Sequence, residues 1–258
     1  MACITLLSDF GLQDASVAIA KGVLMQHNPS LLIADISHEV RPFHTGQAAY
    51  LLSCAWRNFP GGTCHLLLFD VFSHKVTRLL LAEHHGHYFL TADNGVLPLA
   101  LSAHPMAWQC KELKPAESFT AWLHAAGQII SKLQTTLPGG LDLPSYRLKT
   151  ATKIEPLVQG NEVTCEVIHI DHYENVVLNI TKQQFEALSA GRSFRLQFVQ
   201  VEEITEISGN YADVRPGIKL CRFNSNGYME ICVNRGNSAS LFGLRPGSRN
   251  NDIKITFG

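Results

Sequence analysis

Apolar and polar positions alternate in blocks along the first half of the chain. CITLLSDF, with Ile4, Leu6 and Leu7, predicts a first strand. The next block, ASVAIAKGVLMQHN, carries Val17, Ile19, Val23 and Leu24 at helical spacing and stops at Asn28-Pro29. LLIADIS predicts a second strand, and GQAAYLLSCAWRNF a second helix that Pro60-Gly61-Gly62 ends. CHLLLFD predicts a third strand. This strand–helix alternation predicts an α/β layer with a mostly parallel sheet, joined by right-handed crossovers. The run LLLA, then EHHGH, then YFL predicts a hairpin whose tip holds His84, His85 and His87 in water. TADNGVLPL carries a turn tripeptide, Asp93-Asn94-Gly95, and AWLHAAGQIISKL predicts a further helix.

The texture changes at Leu137. LPGGLDLPSYRLKTATKIEP is rich in Pro, Gly and Ser and lacks periodicity, which predicts a linker. Beyond it, EVTCEVIHI, NVVLNI, SFRLQFVQ, IKLCRFN, YMEICV and IKITF are short β-like runs separated by turn residues, and only KQQFEALSAG reads as helix. They predict a small all-β barrel or sandwich. The expected organisation is an α/β domain over 1–140, a linker over 141–160 and a β domain over 161–258.

The composition narrows the function classes. Hydrophobic residues make up 46% and charged residues 17% of 258, the balance of a globular chain with a sizeable core. A net charge of −1 without basic clusters argues against nucleic acid as a partner. No apolar run reaches the roughly 18–20 residues of a membrane span, and MACITLLSDFG reads as a strand rather than a signal peptide. Seven scattered cysteines, an odd number with no CxxC, point to reduced thiols in a cytoplasm. No Cys/carboxylate pattern completes the histidine cluster, so no metal is expected.

Candidate chemistry begins with Asp9, Asp35 and Asp70, each at the carboxyl end of a predicted strand. Ligands of open α/β sheets bind outside those ends. Arg78 follows Asp70 across a short loop.

The blocks TLLSDFGLQDASVAIAKGVL, DISHEVRPF, the strand ending at Asp70, DNG, IDHYENVVLNI and NSNGYMEICVNRGNSASLFGL occur in this order. Over nearly its whole length the chain resembles the S-adenosylmethionine hydroxide adenosyltransferases, relatives of the fluorinating and chlorinating enzymes. The resemblance implies an α/β domain followed by a β-barrel domain. It implies conversion of S-adenosylmethionine and water to adenosine and methionine, with no cofactor. It also implies a homotrimer with sites between subunits. It assigns Asp9 to the ribose diol, Asp171 to the methionine ammonium, and Asn175 to the amino acid or the base. Ser225 and Glu230 fall around the ligand, and Val233, Arg235 and Ser238 in the segment that wraps adenine. The family's catalytic Asp, Arg and His map to Asp70, to Arg78 after a one-residue insertion (Thr77 without it), and to His124 after a shortening (Ala121 without it). The family loop Pro-Gly-Val-Gly is replaced by 71–77, VFSHKVT, where His74 or Lys75 offers an alternative cation. Glu174 stands where the family has glycine. These departures leave a second reading, a degenerate protein that holds S-adenosylmethionine or adenosine without turnover, and a weaker third, a halogenase.

Overall fold

The computed structural model describes residues 3–72, 76–114, 117–149, 154–199, 202–246 and 253–258. The chain divides into two compact units, Met1–Thr152 and Lys153–Gly258.

The first unit runs β1 (Ile4–Ser8), α1 (Ser16–His27), β2 (Ile33–Ser37), α2 (Thr45–Ala55), β3 (Cys64–Leu68), β4 (Thr77–His84), β5 (His87–Thr91), α3 (Val96–Leu101), β6 (Met106–Leu113) and α4 (Phe119–Lys132). Its sheet has the order β2-β1-β3-β5-β4-β6. Pairings among β2, β1, β3 and β5 are parallel, and β4 is antiparallel to both β5 and β6. The mostly parallel sheet is therefore present, with an antiparallel edge. Both faces of β1 and β3 are covered, which explains why apolar residues fall on both faces of each strand. Leu6, Leu66 and Leu68 pack with Leu24 of α1 and Trp122 and Ile130 of α4. Leu7, Leu67 and Phe69 point the other way, against Leu52 of α2 and Leu97 of α3. Within the segment read as linker, the Tyr146 N–H donates to the Ala107 carbonyl at 2.8 Å, and the Gln109 N–H to that of Pro144 at 2.9 Å. These bonds fasten residues 144–146 along β6.

The second unit runs β7 (Leu157–Gln159), β8 (Glu162–Cys165), β9 (Val167–Ile170), β10 (Val176–Thr181), α5 (Lys182–Ser189), β11 (Phe194–Phe198), β12 (Glu202–Ile204), β13 (Lys219–Phe223), β14 (Tyr228–Val233), α6 (Ser238–Phe242) and β15 (Ile253–Phe257). Its strands form two sheets, β13-β14-β10-β9 and β12-β11-β15-β8-β7, with antiparallel pairings throughout. The strand pairings among the described residues give two sheets rather than one continuous ring. The run EVTCEVIHI breaks at Glu166 and changes sheet there. Buried Asn179 takes over that residue's hydrogen bonds: its Oδ1 accepts from the Glu166 N–H at 2.8 Å, and its own N–H donates to the Glu166 carbonyl at 3.0 Å. Both sheets share one core that joins Leu196, Phe198 and Ile255 to Leu178, Met229 and Ile231.

Candidate active site

The carboxyl edge of the parallel strands gathers three polar side chains. Asp9 follows β1, and its Oδ2 accepts from the backbone N–H of Asp70 at 3.3 Å. Asp70 follows Phe69 at the end of β3 with φ +47°, a left-handed conformation that Asp tolerates better than most residues. Asn94, just beyond β5, donates from Nδ2 to the Phe69 carbonyl at 2.7 Å and accepts the Val96 N–H at 3.1 Å. One amide therefore braces the Asp70 turn and opens α3. Burial pushes the Asp9 carboxyl up and the charge of Asp70 adds to this, while the Asp70 N–H works against it.

The Asp9 turn is held from behind. Buried Ser8 lies 2.7 Å from Nδ1 of buried His38, whose backbone carbonyl accepts the Gly11 N–H at 2.7 Å. His38 in turn meets Asp35 at 3.1 Å. Asp35 is the middle residue of β2 rather than its end, and its other oxygen pairs with Lys21 of α1 at 2.6 Å. The expectation that Asp35 shares the carboxyl-edge position of Asp9 and Asp70 is thus corrected.

The other expected catalytic groups are engaged elsewhere. Arg78 lies on β4 and pairs with Glu112 of β6 at 3.0 Å, its guanidinium 6.0 Å from the ring of Tyr146. His124 sits on α4 with Nδ1 3.1 Å from Nε2 of His27, the last residue of α1. Asp9 precedes the opposite end of that helix. Helix α1 spans 12 residues, a length of about 18 Å. His74 and Lys75 lie outside the described residues. Phe72 is exposed, and its ring meets Phe119 at 6.3 Å, which in turn meets Phe10 at 5.2 Å. His87 is a further correction. It is buried, not in water, because its Nδ1 lies 3.1 Å from Nε2 of buried His65 on β3.

The second unit brings together three more of the expected residues. Asp171 accepts from the Asn175 backbone N–H at 2.8 Å and from its Nδ2 at 2.9 Å. Asn175 also reaches the Tyr211 hydroxyl at 3.4 Å, and that hydroxyl donates to Glu230 Oε1 at 2.8 Å. Arg222, paired with Glu230 across the β13–β14 ladder, stacks 4.5 Å from the Tyr211 ring and approaches Glu230 at 3.7 Å. Glu230 is buried. Desolvation pushes its carboxyl up, against the Tyr211 hydrogen bond and the Arg222 charge. Tyr211 is pushed up to about 12 by burial and by its bond to Glu230. Ser225 is not in this cluster. It stands exposed at the tip of the β13–β14 hairpin. Val233 is buried at the end of β14, and Arg235 is exposed at φ +55°. Ser238 is fully buried, its Oγ 2.6 Å from the Glu174 carbonyl and 2.9 Å from that of Ile231.

Residues 4–128 match the family profile described as the SAM hydroxide adenosyltransferase N-terminal domain, and residues 165–250 that of the C-terminal domain. The chain belongs to this family. It is 28% identical over 265 residues to the (R)-S-adenosyl-L-methionine hydrolase of Salinispora tropica, covering 99% of this chain and 98% of that one. The protein of the same name from Thermus thermophilus is 26% identical over 259 residues, covering 93% and 95%. The crystal structure of an uncharacterized conserved protein from Thermotoga maritima superposes with a TM-score of 0.82 at 27% identity, covering 98% and 99%.

Within this SAM hydroxide adenosyltransferase chain, Asn94, Tyr211 and Arg222 escaped the sequence reading. Asn94 was in view as a turn residue. Tyr211 and Arg222 carry no local signal, because their partners lie on other strands. No group of three or more His, Cys, Asp or Glu side chains able to hold a metal occurs among the described residues. No described helix is long and apolar enough to cross a membrane.

Proposed function

We propose that the chain hydrolyses S-adenosyl-L-methionine to adenosine and L-methionine. The observation that carries this reading is the likeness to (R)-S-adenosyl-L-methionine hydrolases along both units. A water oxygen bonds to ribose C5′ as the C5′–S bond breaks. The bonding pair stays on sulfur as the methionine thioether, and one water proton leaves. The sulfonium is already a good leaving group, so catalysis is mainly alignment of that oxygen with the C5′–S bond. Asp9, acceptor-only when ionised, takes hydrogen bonds from the ribose hydroxyls. Asp70 orients the incoming water. Asp171 and Glu230 bring two carboxylates against the single guanidinium of Arg222, an excess of negative charge suited to the ligand's ammonium. Asn175 serves the amino acid or the base. Ser225, Val233, Arg235 and Ser238 border the ligand, the last three with the backbone of their segment. Arg78 supplies positive charge at the edge where β4 begins, and His124, whose Nδ1 lies 3.1 Å from Nε2 of His27, relays the proton that the water loses. No cofactor enters. The assembly is a homotrimer with sites shared between subunits, in the cytoplasm, where free thiols stay reduced.

One observation favours the second reading, binding without turnover: Arg78 and His124 are bonded to Glu112 and His27 rather than gathered at Asp70. A single assay separates the two. Purified protein incubated with S-adenosylmethionine releases adenosine and methionine in equal amounts under the first reading. Calorimetric binding with the ligand recovered intact supports the second, and absence of both defeats each.

A further inference from the structure

Asp93, two residues past β5, is only 7% exposed. A buried carboxylate is expensive unless its oxygens are satisfied, and removing one partner from such a group costs more than the pair contributes. Both oxygens are taken. Oδ2 accepts from the Tyr146 hydroxyl at 2.9 Å, and Oδ1 from the Lys149 backbone N–H at 3.0 Å, with the Lys149 ammonium at 4.0 Å. The donors come from the segment that the pattern marks as linker, whose residues 144–146 are bonded along β6. That segment is thus fixed at two places, its edge strand and Asp93.

The position of Asp93 connects two parts of the site. In the β4–β5 ladder the last pair is Leu80 with Thr91, and Arg78 and Asp93 each lie two residues beyond that pair, Arg78 before Leu80 and Asp93 after Thr91. Tyr146 spans the strand ends there, its hydroxyl on Asp93 and its ring 6.0 Å from the Arg78 guanidinium. Glu112 holds Arg78 from the β6 side at 3.0 Å. In the other direction, the residue after Asp93 is Asn94, whose amide bonds the Phe69 carbonyl at 2.7 Å and so braces the turn that presents Asp70. Asp70 ends β3 and Arg78 begins β4, with β5 lying between these strands.

We propose that Asp93, acting through Tyr146 and Asn94, is a positioning residue that fixes the Arg78 guanidinium relative to the Asp70 turn. The assignment rests on the hydrolase reading above. It gives Arg78 a defined place in the reaction without requiring contact with Asp70, and it gives the segment 144–149 a part in the site.

Tyr146→Phe tests it, because the change removes only the hydroxyl and keeps the ring, whereas Asp93→Asn also sets an amide NH2 donor against either the Tyr146 hydroxyl or the Lys149 N–H. Rates of adenosine release are measured for the wild-type protein, Tyr146→Phe, Arg78→Lys and the double variant, each with a thermal melt. The expected result is a kcat lowered about ten- to a hundredfold in Tyr146→Phe, the range for misplaced reacting groups, with KM little changed. The double variant falls no lower than the worse single one, because the two residues act as a unit. An unchanged kcat in Tyr146→Phe overturns the assignment. So do losses that multiply independently in the double variant, or losses that follow the melting temperature with KM rising alongside. If the wild-type protein releases no adenosine, the hydrolase reading falls and takes this assignment with it. A working wild type beside an equally fast Tyr146→Phe removes the assignment alone.

Discussion

Asp9 is held where its charge is costly. Its carboxyl is raised by burial and by Asp70, so its protonated form favours the fold. The stability it contributes is full below the unfolded value of 3.8 and is lost as pH rises through the raised folded value. Asp9→Asn removes that burden. At neutral pH the variant should melt no lower than wild type, yet bind adenosine roughly ten- to a hundredfold more weakly, the worth of hydrogen bonds to an ionised acceptor. Calorimetry and a melt on the same sample check both halves, and wild-type affinity in the variant would show that Asp9 does not hold the ribose. His65 behaves in the opposite sense. Its ring lies between Thr5 at 2.7 Å and His87 at 3.1 Å, and burial pushes it down to about 3. The unfolded chain takes up this proton near pH 6.5. Stability is therefore full above that pH and declines as pH falls toward the folded value, by about 1.4 kcal/mol per pH unit. His65→Gln should flatten the fall of melting temperature in this interval, and a slope equal to wild type would exclude the histidine as its source. Asp9 and Asp70 were legible in the sequence because each closes an apolar run. The surroundings of Arg78 and His124 were not, because their partners, Glu112 and His27, lie 34 and 97 residues away.

The elements themselves were legible where burial imposes a period. Strands β1 and β3, covered on both faces, and helices α1, α2 and α4 follow the apolar pattern closely. The sequence reading missed α3, β6 and, in the second unit, β7, β12 and α6. Helix α3 has six residues and contains a proline, and β6 is an edge strand with a mixed burial pattern. The turn between β9 and β10 shows how an element absorbs a departure from its family. Glu174 adopts φ +61°, where a glycine would sit without strain. Its carboxylate accepts the Ser240 N–H at 2.8 Å, and its carbonyl accepts the Ala239 N–H at 3.1 Å, so this residue caps the start of α6. Strain and cap oppose each other. Glu174→Gly loses the carboxylate cap but relieves the backbone, while Glu174→Ala loses the cap and keeps the strain. The melting order should therefore place Ala below Gly, with Gly near wild type. An alanine variant as stable as wild type would mean that the carboxylate cap contributes nothing.

At the scale of the whole molecule, the residues assigned to the ligand and the attacking water fall into two groups on different compact units: Asp9 and Asp70 within Met1–Thr152, and Asp171, Asn175, Ser225, Glu230, Val233, Arg235 and Ser238 within Lys153–Gly258. No single-chain pattern could show how such groups combine, since periodicity reports only what each strand or helix buries. The proposed homotrimer makes a sharp statement about this. If each site draws its first group from one subunit and its second from a neighbour, a subunit carrying Asp9→Asn retains a sound second group, and one carrying Glu230→Gln retains a sound first group. Assayed at substrate well below KM, each variant alone should keep only about 1–10% of the wild-type rate, in line with a ten- to hundredfold loss of binding. Unfolded together and refolded as mixed trimers, they should recover roughly a quarter of the wild-type rate, the share of interfaces that random assortment in a closed ring leaves with both sound groups. A site built within one chain gives no recovery, because every chain in the mixture then carries one defective group. Activity recovered on mixing, measured beside each variant refolded alone, therefore decides whether the ligand is enclosed by one subunit or by two.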